Sequence, residues 1–168
     1  MRRLLFPTAF LLAPQGALLA ECAGETMISC ETGAGWLEVC VEPGDGPGEG
    51  AFTYAFGPKG APDLALREDM AAGTATPWPG IGGAIWESVD FRHEGHVYSI
   101  YIATDRSDES GMRAGAHVIR GEETLARLSC ESGPDQVIAP AFAVEDAMTA
   151  AGYRRDLARD EWRRGEYP

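Results

Sequence analysis

His93, Glu94 and His96 fall within four residues of one another, and imidazole with carboxylate is a ligand set that divalent transition metals accept. On the two arms of a hairpin such neighbours can share one ion. A third and a fourth ligand are missing nearby, and no feature of the sequence places His117 beside them. A hairpin tip also collects polar residues for solvation alone, so these three are metal candidates and no metal is assigned. Asp105, Asp108 and Glu109, in the run Asp105-Arg106-Ser107-Asp108-Glu109-Ser110, can offer oxygens to calcium, which takes ~6–8 of them. Their spacing fits no EF-hand and Arg106 brings a positive charge into the ring, so a solvated loop is expected. Glu42 to Glu49 carries the same reservation. Nucleophilic catalysis has no setting here: no Gly-x-Ser-x-Gly elbow surrounds any serine. Pro79-Gly80-Ile81-Gly82-Gly83 lacks the Lys-Ser/Thr that follows a phosphate-cradling loop. With 26 acidic side chains, a pair of carboxylates in sequence carries no information about acid–base chemistry. The expectation is a protein that is not an enzyme and uses no cofactor.

The four cysteines are Cys22, Cys30, Cys40 and Cys130, with no C-x-x-C pair among them. Zinc sites are usually built on such pairs, so two disulfides are expected, with three pairings open. Any bridge from Cys130 closes a long loop. That reading needs an oxidising compartment, and the N-terminus points to one. Arg2 and Arg3 precede an apolar run from Leu4 to Ala13, and Ala17-Leu18-Leu19-Ala20 brings small residues up to Glu21. A cationic start, a short apolar stretch and a small residue at the cut describe an export signal over residues 1–20. The stretch is too short for a permanent membrane span. A lipid anchor at Cys22 is disfavoured by the bulky, charged Glu21. The chain is therefore expected in the periplasm or secreted, away from the membrane once the leader is cut.

Without residues 1–20, 12 basic residues face 26 acidic ones. The excess is uneven, because five arginines lie beyond Tyr153 (Arg154, Arg155, Arg159, Arg163, Arg164) among four acids. Residues 21–152 consequently carry 7 basic and 22 acidic side chains, a net charge of −15. Such a surface repels phosphate backbones, which excludes nucleic acid as a natural partner and favours a cationic protein or peptide.

The elements that must position these groups are mostly strands. Thr26–Cys30 and Trp36–Val41 flank the glycine-rich turn Thr32-Gly33-Ala34-Gly35. Glu42 to Gly50 has no apolar residue and reads as a loop. Phe52-Thr53-Tyr54-Ala55-Phe56 alternates large and small side chains, a strand with one buried face. Leu64–Arg67 is a further strand, and Met70 to Gly83 an irregular connection. Ile85 to Thr104 forms a long hairpin around Glu94-Gly95, pairing Phe91 with Tyr98, Val89 with Ile100 and Glu87 with Ile102. This register puts Val89, Phe91, Tyr98, Ile100 and Ile102 on an oily face, with Ser88, Asp90 and Ser99 opposite. Ala116–Ile119 and Thr124–Cys130 make the last hairpin. Val144 to Arg164, rich in Ala, Arg, Asp and Glu, reads as one or two helical segments, with Tyr153, Leu157 and Trp162 as an apolar stripe. About eight strands without βαβ alternation predict a mainly β fold, an antiparallel sandwich or small barrel with a C-terminal helix. The divisions expected are a leader (1–20), a disulfide-linked β domain (21–140) and a helical tail (141–168).

Trp86 and Tyr101 fall on the wetter face of the long hairpin. With Asp105, Asp108 and Glu109 they form a candidate binding surface, unless the terminal helix packs over the two aromatics. Packing of the helix there is the preferred reading.

Cys22 with Met27-Ile28-Ser29-Cys30, Leu37-Glu38-Val39-Cys40, Phe52-Thr53-Tyr54-Ala55-Phe56-Gly57, the Phe91–Tyr101 hairpin, Gly115-Ala116-His117-Val118 and Leu128-Ser129-Cys130 form a pattern. It resembles a family of small exported proteins of Gram-negative bacteria, with their aromatic-x-Phe-Gly strand ending. Ala55 stands where those proteins have arginine. The resemblance implies a disulfide-linked β domain and supplies no activity. Periplasmic lysozyme inhibitors are a looser likeness, but their Ser-Gly-x-x-Tyr loop is missing: Ser110-Gly111-Met112-Arg113 runs into Ala114. The function expected is a non-enzymatic, inhibitor-like or binding domain in the envelope. The alternatives are a metal-dependent envelope enzyme using His93, Glu94 and His96, and an accessory subunit docking through its C-terminal tail.

Overall fold

The computed structural model describes residues 22–107, 111–156 and 161–165. The expected leader (1–20), Asp108, Glu109 and Leu157 lie outside the described residues. Strands β1 (Glu25–Glu31), β2 (Trp36–Pro43), β3 (Gly50–Gly57) and β4 (Leu64–Asp69) form an antiparallel meander. A second meander follows: β5 (Ala75–Thr76), β6 (Ala84–His93), β7 (His96–Asp105), β8 (Arg113–Arg120) and β9 (Glu123–Ser129). The short β10 (Val137–Ile138) then returns to the first sheet and pairs with β1, giving two five-stranded antiparallel sheets. The fold is mainly β and sandwich-like, with one α-helix among the described residues.

The long hairpin has the expected register throughout, from His93 opposite His96 to Glu87 opposite Ile102. Its two turn residues, Glu94 and Gly95, both have positive φ (48° and 77°), the geometry whose twist matches a two-residue hairpin. Val89, Phe91, Ile100 and Ile102 are buried beneath it. From the other sheet Leu37, Val39, Phe52 and Tyr54 face them, each almost wholly removed from solvent. The Tyr54 ring meets Phe91 at 5.5 Å and Tyr98 at 5.7 Å between centroids, so the alternation in β3 becomes the contact between the sheets. Each such side chain contributes roughly 1.5–3 kcal/mol through burial.

Two covalent links brace this core. Cys22 pairs with Cys40, holding the chain's entry against β2, and Cys30 pairs with Cys130, joining β1 to the end of β9. The four cysteines are thus disulfide-bonded, in keeping with an oxidising environment.

After Pro140 the chain departs from its expected form. Helix α1 (Ala143–Ala150) is the whole of the helical structure there among the described residues; Tyr153–Asp156 and Glu161–Arg164 are strands β11 and β12, paired as a small hairpin. Gly152, with φ of 85°, ends the helix in a conformation other residues avoid. The hairpin is then held by its aromatics. The Tyr153 hydroxyl donates to Gly48 O at 2.9 Å, and Trp162 Nε1 donates to Ala75 O at 3.1 Å. Helical composition in this segment is overridden by these contacts to the body.

Candidate functional site

His93 and His96 face one another at the hairpin tip, and His93 Nε2 lies 3.9 Å from Glu94 Oε1. The His96 ring leans toward Tyr98, and His117 stacks against Tyr101 at 5.2 Å on the outer face of the sheet. Among the described residues no group of three His, Cys, Asp or Glu side chains is arranged to hold a metal ion. Asp105 forms an ion pair with Arg113 at 3.0 Å. The Arg106 guanidinium lies 5.4 Å from the Trp78 ring centroid.

Trp86 and Tyr101 do sit on the outer face of the second sheet, but the helix does not cover them. Helix α1 packs from the opposite side, putting Val144 and Met148 into the core. Trp86 keeps 38 % of its surface exposed. Tyr101 is half-buried because its ring lies over Gly115, its partner on β8. The preferred reading of these aromatics as a helix-packing surface is therefore corrected.

What brings the helix to the inner side is Glu87. Its position opposite Ile102 puts a carboxylate on the oily face, where it is 1 % exposed. The first turn of α1 has unsatisfied amides and no side-chain cap of its own, since Phe142 occupies the cap position with φ of 71°. Glu87 supplies the missing acceptor: Val144 N donates to Oε2 and Glu145 N to Oε1, both at 3.0 Å. Burial pushes the Glu87 carboxyl up to about 7; the two amide hydrogen bonds oppose this, and the nearby Glu145 and Asp146 carboxylates add to the rise. Glu87 was legible as an acid out of place in the apolar row, but nothing in the sequence showed what it faced.

With α1 so anchored, a cleft of about 730 Å³ opens between the helix, the start of β1, the residues that follow β10, and the β2–β3 loop. Met27, Val41 and Met70 line it from the sandwich, and Ala143, Ala147 and Ala150 from the helix. Glu25, Glu49 and Asp146, three exposed acids on three separate segments, complete the lining. Among the described residues no lysine or arginine lines it. Gly24 is required at the edge of this cleft, because a Cβ there would fall 1.8 Å from Val41 O. The volume suits a ligand site, and apolar walls with a few polar groups are the usual composition of one.

The chain matches no family model, no curated protein and no solved structure at significant similarity.

Proposed function

We propose that this chain is an exported, non-enzymatic binding domain of the envelope whose partner is a cationic protein or peptide. The observation that carries this reading is how the charges are distributed. Three cations of the sandwich are engaged with acids of their own chain: Arg67 with Glu42 and Asp69, Arg113 with Asp105, Lys59 with Asp135. Glu25, Glu49 and Asp146, which surround an apolar cleft, have no ion pair among the described residues. A net charge of −15 over residues 21–152 draws cationic partners from a distance, and these unpaired carboxylates receive them.

The leader-like residues 1–20 and the two disulfides support the periplasm as its compartment, and the resemblance to small exported proteins fits that setting. The accessory-subunit alternative has less to support it, because Tyr153 and Trp162 tie the tail to the body. Immobilised full-length mature protein should retain a cationic test protein such as lysozyme at low salt, and release most of it between about 50 and 300 mM salt as screening sets in. Retention indifferent to salt, or no retention, would refute the reading.

A further inference from the structure

We infer that the cleft beneath α1 is where the partner is held, and that it receives a peptide segment in which an apolar side chain stands beside lysine or arginine. This inference rests on the binding reading above and adds to it a site and a sequence class.

The argument is one of complementarity. Met27, Val41 and Met70 with the alanine row of α1 offer an apolar surface that no side chain of the described residues fills. An anionic ligand would meet Glu25, Glu49 and Asp146 and, among the described residues of the lining, no compensating cation. A neutral apolar ligand would desolvate carboxylates without replacing their lost water contacts, which is costly. A ligand with an apolar group for the walls and positive charges for the acids satisfies both requirements. The three carboxylates come from the start of β1, the β2–β3 loop and α1, so they surround the cleft from different sides. They are not grouped to hold one ion among the described residues, whereas successive side chains of a peptide can reach each in turn. Lysine and arginine stems can also lie along the alanine wall while their charged ends reach the acids.

The probe is a fluorescein-labelled synthetic peptide alternating leucine and lysine, titrated with the full-length mature protein and read by fluorescence anisotropy. Two companion peptides replace lysine by glutamine or leucine by serine. Ala150→Phe fills the cleft from an exposed helical position, and the double variant Glu49→Gln/Asp146→Asn removes two of its charges without touching the core. Glu122→Gln, in the exposed β8–β9 turn, is the control, and circular dichroism verifies the fold of each variant. Binding should weaken by about tenfold or more in either cleft variant and for either companion peptide, and change less than about twofold in the control. If the leucine–lysine peptide binds the cleft variants as tightly as the wild type, the site is wrong while the cationic-partner reading stands. If the glutamine peptide binds equally well, charge plays no part and both fall. If the serine peptide binds equally well, the apolar requirement is overturned. Absence of binding by the leucine–lysine peptide overturns the inference, and the lysozyme retention experiment then decides the broader reading separately.

Discussion

Replacing Glu87 by glutamine isolates the buried carboxylate by which the second sheet holds the helix. Glutamine has nearly the same shape and keeps one carbonyl oxygen for an amide of α1, but it cannot ionise. In the folded protein the Glu87 carboxyl is raised from 4.5 to about 7. A raised folded value means that the native state binds this proton more tightly than the unfolded chain does. Its contribution is therefore fully present below the unfolded value of 4.5 and is lost as pH rises through about 7. At ~1.4 kcal/mol per pH unit, a shift of this size amounts to about 3 kcal/mol. Urea unfolding of both proteins at intervals from pH 4 to pH 8.5 gives the two stability curves. Every other acid is shared, so the difference between the curves reports Glu87 alone. The wild type should lose about 3 kcal/mol relative to Glu87→Gln across that window, most of it between pH 4.5 and 7.5. Parallel curves would show that the carboxylate is solvated or paired in a way the geometry does not contain, and the account of how α1 is anchored would fail.

The two disulfides should differ in their worth. Loop-closure entropy assigns roughly 5 kcal/mol to the Cys30–Cys130 bridge and roughly 3 kcal/mol to Cys22–Cys40. Denaturation of the Cys30→Ala/Cys130→Ala and Cys22→Ala/Cys40→Ala proteins should reproduce that order, and the reverse order would contradict it. Gly115→Ala places a methyl group 2.1 Å from Leu128 O and 2.8 Å from the Tyr101 hydroxyl. It should lower stability by about 1–3 kcal/mol through displaced packing, measured by thermal unfolding. An unchanged melting temperature would mean that the β7–β9 surface yields more easily than its register implies.

The long hairpin was legible because two independent local signals agree in it. Val89, Phe91, Ile100 and Ile102 alternate with polar residues, and Glu94-Gly95 supplies the turn their register needs. The tail was not, because its alanines and charged residues favour a helix locally while its strands are held by Gly48 and Ala75, about a hundred and about ninety residues away in the chain. β5 and β10 have two residues each and lie in segments whose glycines and prolines suggest only loops. The cleft is harder still. Its parts come from β1, β2, the β2–β3 loop, Met70 and α1, so only the alanine spacing at 143, 147 and 150 had any trace in the sequence. The chemistry-bearing residues that stood together in sequence, His93, Glu94 and His96, form no metal-holding group among the described residues.

The disulfide connectivity carries a consequence for how the chain matures. Pairing first with third and second with fourth is interleaved, so joining cysteines strictly in the order in which they are synthesised produces the wrong links. Cys22, Cys30 and Cys40 are all present long before Cys130, and an early Cys22–Cys30 bond would strand both native partners. Such a bond can be corrected only by a thiolate attacking it and passing the sulfur on. The native pattern is reached either by direct pairing of Cys22 with Cys40 or by exchange out of such an early bond, and Cys130 is the last thiol needed to complete it.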